Sequence, residues 1–85
     1  MTKTITVRYF ASIREAMGTG EETWATDAPT VAALRQELAR RSAQAAQALC
    51  GPQPVRLALN QSMCPPDAPI AAGDEVAFFP PVTGG

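Results

Sequence analysis

Residues 3–10, Lys-Thr-Ile-Thr-Val-Arg-Tyr-Phe, alternate with a period of two: Ile5, Val7 and Tyr9 fall on one side, Thr4, Thr6, Arg8 and Phe10 on the other. That pattern predicts a half-buried strand and leaves Phe10 on its polar side. Ala11 to Met17 holds good helix formers, and Gly18 stands where a left-handed cap closes a helix, so one or two helical turns follow. Glu22-Thr23-Trp24-Ala25-Thr26 is a weaker strand, placed to return antiparallel to the first. After the turn at Asp27-Ala28-Pro29, Thr30 is the expected N-cap of a helix. Val31, Leu34, Leu38, Ala45 and Leu49 share one helical face with Ser42 in the gap, predicting a single long helix that stops before Gly51-Pro52. Val55 to Leu59 alternates again, Asn60-Gln61-Ser62 can turn the chain, and Met63-Cys64 reads as a short return strand. Pro65 to Pro69 is an irregular loop, and Gly73-Asp74 is a turn. Glu75 to Phe79 is the last strand, with Val76 and Phe78 on one face and Glu75, Ala77 and Phe79 on the other. One amphipathic helix covers one face of one sheet, so the expected class is α+β in two layers.

Composition narrows the function. The chain has 85 residues, enough for one small domain. Apolar residues make up 46% and charged residues 18%, which argues against a disordered chain. Seven basic and eight acidic residues give a net charge of −1, without the basic footprint of a nucleic-acid binder. There is no histidine, which removes the usual general base and the commonest metal ligand. No apolar run approaches the length of a membrane span, and the alternating N-terminus lacks the apolar core of a signal peptide. Cys50 and Cys64 form neither a disulfide framework nor a zinc signature. The expectation is a soluble cytoplasmic protein with no nucleic-acid or membrane partner.

The C-terminal residues carry the chemistry. Pro80 and Pro81 lack the N–H that a central ladder needs, so Val82-Thr83-Gly84-Gly85 should project from the sheet. The division expected is a domain over residues 1–79 and a flexible tail over residues 80–85. Six residues after Phe79 reach roughly 20 Å when extended. Two glycines let backbone thread a channel too narrow for a Cβ. A carboxylate on such an arm suits activation by ATP in another protein's active site, followed by attack of a sulfur or nitrogen nucleophile. The alternative is a frayed terminus.

The block Gly73-Asp74-Glu75-Val76-Ala77-Phe78-Phe79-Pro80-Pro81-Val82-Thr83-Gly84-Gly85 closely resembles the C-terminus of the molybdopterin synthase small-subunit family. Tyr9 to Gly18, Thr30 to Leu34 and Leu57 to Gln61 are similar to that family's first strand and turn, helix start and third strand. The resemblance implies a β-grasp, ubiquitin-like fold: a mixed sheet of four to five strands packed on one long helix, with a protruding Gly-Gly tail. It also implies a sulfur carrier without a catalytic centre of its own. A ubiquitin-activating-like adenylyltransferase would use ATP to adenylate Gly85, and a sulfur donor protein would convert it to a thiocarboxylate. The tail, with Gly84 beside the reacting end, would then deliver sulfur to cyclic pyranopterin monophosphate inside the large subunit. The expected assembly is a heterotetramer. No cofactor is expected on this chain, ATP being used by the adenylyltransferase. Related alternatives are a sulfur carrier for thiazole synthesis and a ubiquitin-like modifier joined through Gly85 to a lysine amine.

Phe10 and Phe79 both lie on polar parity, which suits an interface; cover from loops or strand twist is the alternative. The resemblance places Phe10, Met63 and Phe79, with tail residues Pro80, Pro81, Val82 and Thr83, against the large subunit. Cys50 near a helix C-terminus and Cys64 before Pro65-Pro66 read as bystander thiols, because a reactive thiol wants a cationic setting or a helix N-terminus. Arg14 is either a partner for acids, including Glu15 and Glu21, or a solvated surface residue. Asp74 reads as turn chemistry, Glu75 as a solvated strand position and Trp24 as a packing residue. Arg40-Arg41 is too short a charge run to suggest nucleic acid.

Overall fold

The computed structural model describes residues 2–52 and 54–81. Its elements are β1 (Lys3–Tyr9), α1 (Ala11–Met17), β2 (Glu21–Thr26), α2 (Val31–Ala39), α3 (Ala43–Cys50), β3 (Arg56–Leu59), β4 (Ser62–Met63) and β5 (Glu75–Phe79). The five strands make one sheet in the order β2-β1-β5-β3-β4. The central pair, β1 and β5, runs parallel, and the other neighbours are antiparallel. This is the mixed sheet of a β-grasp fold.

The alternation in β1 decides which side is buried. Ile5, Val7 and Tyr9 are buried beneath the helices, as are Val76 and Phe78 of β5. Tyr9 and Phe78 stack with ring centroids 6.1 Å apart. Val31, Leu34 and Leu38 of α2 and Leu49 of α3 are buried in the same core, joined by Ile13 of α1. Removing this apolar surface from water, at about 25 cal/mol per Å², is the main force holding the two layers together.

Local chemistry sets the boundaries. Gly18 closes α1 in the left-handed region at φ 80°, its N–H donating to the Arg14 carbonyl. The Thr30 hydroxyl accepts from the Ala33 N–H at 3.2 Å. The N–H groups of Val31 and Ala32, which no helical carbonyl can reach, donate to Ala68 and Pro66 of the proline-rich loop at 3.0 and 2.7 Å. Asn60 and Gln61 both have positive φ, 52° and 69°, the pattern of a type I′ hairpin turn between β3 and β4. Asp74 accepts from the Ala71 N–H at 2.8 Å and from the Asn60 side-chain amide at 3.2 Å, as turn chemistry requires.

The single long helix expected over the 31–50 stretch is two helices. Arg40 and Arg41 close α2 by donating to Glu37 and Leu38 carbonyls, a tightened last turn. Ser42 is extended, φ −166° and ψ 166°, and its hydroxyl accepts from the Ala45 N–H at 3.0 Å. Serine competes with helical hydrogen bonding by capping a new helix, and that local option wins. The apolar stripe survives the break because Leu38, Ala45 and Leu49 all remain buried. Arg35 donates from Nε to the Leu49 carbonyl, tying α2 to the last turn of α3. Gly51 ends α3 where a Cβ would collide with the Gln47 backbone carbonyl.

A polar network fastens β2 to the helices. The Tyr9 hydroxyl donates to Glu22 at 2.6 Å, and the Arg41 guanidinium donates to the same carboxylate oxygen at 2.6 Å. Arg41 also lies over the Trp24 ring, 4.7 Å from its centroid. The Trp24 indole N–H donates to Glu37 at 2.7 Å, and the buried Thr26 hydroxyl donates to the other Glu37 oxygen at 3.0 Å. Burial, with the hydrogen bond and charge of Glu22, raises the Tyr9 pKa well above its ordinary value near 10. Trp24 is a packing residue with its one polar atom satisfied, as expected from the sequence.

Candidate functional site: the root of the tail

The sheet face turned away from the helices holds the site. Along β1 it carries Thr4, Thr6 and Arg8, and along β5 Glu75, Ala77 and Phe79. The parallel register pairs Arg8 with Ala77 and Tyr9 with Phe78, so Phe10 comes alongside Phe79 at the end where β5 leaves the sheet. Their rings meet edge to face, centroids 6.2 Å apart and planes at 90°. The Phe10 N–H donates to the Phe78 carbonyl at 3.2 Å, one bond beyond β1 proper. Pro80 and Pro81 then end the ladder, having no N–H to give.

Phe10, Ala11, Phe79, Pro80 and Pro81 line an open, almost wholly apolar groove of about 530 Å³. Phe10 is 40% exposed, and Met63 is 59% exposed. The first two candidate aromatics are therefore in contact. Met63 shares the open face, opposite Ala58, but sits two strands from β5 on the edge strand and outside the groove. Val82, Thr83, Gly84 and Gly85 lie outside the described residues.

Two residues at this site were not singled out from the sequence. Arg8 places its guanidinium 5.3 Å from the Phe10 ring centroid, with Glu21 at 3.4 Å and Glu75 at 3.7 Å. Its position was readable, since it shares parity with Phe10; its two acids required the sheet register. Glu75 is accordingly half-buried in an ion pair, where full solvation was expected. Ala11 adopts φ 51°, a left-handed conformation that costs a residue with a Cβ roughly 1–2 kcal/mol. That turn swings the chain from β1 into α1 directly beside Phe10. No motif signals it, because alanine is an ordinary helix former.

The remaining candidates separate from the site. Among the described residues Arg14 makes no ion pair, and Glu21 is taken by Arg8. Cys50 is exposed at the last residue of α3; Cys64 is partly buried, and desolvation pushes its thiol pKa up. Among the described residues no cluster of three or more His, Cys, Asp or Glu side chains is arranged to hold a metal ion. No described helix is long and apolar enough to cross a membrane.

The family model described as the ThiS family matches residues 7–85, nearly the whole chain and both halves of this site. The chain belongs to the ThiS family. It is 49% identical over 81 residues to the molybdopterin synthase sulfur carrier subunit of Escherichia coli, covering 95% of this chain and 99% of that one. Among solved structures it is similar to a complex of subunits 1 and 2 of the molybdopterin-converting factor of Helicobacter pylori. There the TM-score is 0.65 at 26% identity, over 96% of this chain and 99% of the matched one. It is also similar to SAMP1 of Haloferax volcanii, a small archaeal modifier protein, with a TM-score of 0.73 at 27% identity over 96% and 99% of the two chains. Membership in the ThiS family and these neighbours agree with the β-grasp topology traced strand by strand above.

Proposed function

We propose that this chain is the sulfur-carrier small subunit of a molybdopterin synthase. The observation that carries the reading is the near-complete match, at 49% identity, to a molybdopterin synthase sulfur carrier subunit. The apolar groove at the tail root supports it, because a protein that threads its tail into a partner needs a docking surface where the tail departs. The chain supplies no catalytic centre. Its large-subunit partner is the counterpart of the second subunit in the Helicobacter pylori complex.

In this reading Phe10, Phe79, Pro80 and Pro81 form the centre of the contact, Met63 its margin, and Val82 and Thr83 continue into the partner. Gly85 is the reacting end, and Gly84 keeps the approach free of side chains. An adenylyltransferase transfers AMP from ATP to the Gly85 carboxylate with release of pyrophosphate. A sulfur donor displaces AMP, leaving a thiocarboxylate. Its sulfur passes to cyclic pyranopterin monophosphate in the large subunit, and water restores the carboxylate. The chain binds no cofactor, works in the cytoplasm and assembles as a heterotetramer with the large subunit. Cys50 and Cys64 take no part.

Reconstitution tests this. Incubation with ATP, a sulfur source and the adenylyltransferase should raise the intact mass by the difference between one sulfur and one oxygen atom. Adding large subunit and precursor should then give molybdopterin. Deleting Gly85 should abolish both signals while the fold and partner binding persist; product from the deleted chain overturns the proposal. The similarity to an archaeal modifier favours a second reading, in which Gly85 is joined to a lysine amine. An isopeptide-linked adduct in place of the thiocarboxylate selects it.

A further inference from the structure

The open face carries a second cation that the site above does not use. Arg56, the first residue of β3, is exposed and is the direct cross-strand partner of Phe79. Directly opposed side chains of an antiparallel pair stand on the same face with Cβ atoms about 4.5–5.5 Å apart. A protein that covers Phe79 therefore covers Arg56 as well. The two arginines of this face differ in one respect. Arg8 has Glu21 and Glu75 within ion-pair distance, whereas among the described residues no carboxylate lies within that distance of Arg56. Arginine keeps its charge at any working pH, so it cannot escape desolvation by losing a proton. Covering it without an acceptor is costly, and the planar guanidinium is matched best by a carboxylate.

We propose that the large synthase subunit presents a carboxylate to Arg56 where it docks on the open face, an inference that rests on the function proposed above. Arg56 sits at the edge of the apolar groove. Its pairing is therefore a rim contact, one that steers approach and selects the partner more than it holds the complex closed. The chain's own acids serve Arg8 on one side of the aromatic pair, and the partner's acid serves Arg56 on the other.

The test measures association and dissociation rates of the full chain with the large subunit at about 50 mM and about 500 mM salt, where screening lengths differ several-fold. Arg56→Glu should lower the association rate about tenfold at low salt, with the gap largely closed at high salt, and Arg56→Lys should retain most of the rate. Far-UV circular dichroism confirms that the variants fold. Equal rates at low salt overturn the inference, as does a loss of the same size at both salts, which reports packing of the arginine stem. The series is repeated on the chain whose C-terminal carboxylate is converted to an amide. An Arg56→Glu effect that vanishes there means that Arg56 meets its own chain's carboxylate, and also overturns it. Wild-type protein that fails to bind the large subunit sinks the function and this inference together; wild-type binding indifferent to Arg56→Glu sinks this inference alone.

Discussion

Phe10 and Phe79 each put an aromatic ring on the polar parity of a strand, and each was legible from parity alone. Their contact was not legible, because it depends on β1 and β5 lying side by side, a pairing between residues almost seventy positions apart in the chain. If they centre the docking surface, replacing either with aspartate places a charge in an apolar contact. Phe10→Asp and Phe79→Asp should each cost the partner complex about 2 kcal/mol or more, the range of an interface hot spot. Titration of large subunit against each variant by calorimetry checks the loss, and unchanged affinity for the doubly substituted chain refutes it. Arg8 and Ala11 show what periodicity leaves out. Parity placed Arg8 on the correct face but could not say that Glu21 and Glu75 would flank it. The positive φ of Ala11 is a conformation that no local preference of alanine encodes.

Local rules worked best at element boundaries made by one residue. Gly18 and Thr30 cap as their chemistry dictates, and Asn60 and Gly73 take the positive φ that their residue types tolerate; Gln61 takes it at φ 69° against its own preference. The helical stretch over 31–50 is the instructive difference. Its apolar period resumes in phase after the gap at Ser42, so the stripe alone describes one helix. The serine that interrupts the stripe was visible; its capping hydrogen bond is what makes the interruption a boundary. Ser42→Ala should destabilise the protein by about 1 kcal/mol, the usual worth of an N-cap. Urea denaturation at neutral pH measures this, and an unchanged or higher midpoint would show that the break is held by Arg41 and its partners instead.

For the whole molecule, the sheet separates two duties. One face is sealed by the three helices of the described residues and fixes stability; the other stays open, with Phe10 and Met63 exposed, and is the face proposed for docking. Tyr9 stands on the sealed face, and its raised pKa links that face to pH. Below about pH 10 the hydroxyl is protonated in both folded and unfolded chains, and its contribution to stability is fully present. Above that, the unfolded chain releases the proton while the folded chain keeps it, so stability falls as pH rises. Urea midpoints taken from pH 8 to 11 should decline more steeply for the wild type than for Tyr9→Phe, and parallel slopes would contradict this origin.

Trp24 is the sole tryptophan of the chain and hangs beneath Arg41 with its indole tethered to Glu37. It pairs with Ile5 across β1 and β2, five residues and so roughly 17 Å along the strand from Phe10, on the opposite side of the sheet. Nature has thus installed one intrinsic fluorophore on the scaffold side of the sheet, away from Phe10. Its emission should report unfolding of the variants that leave its own contacts intact, so damage to the scaffold can be read in a single cuvette.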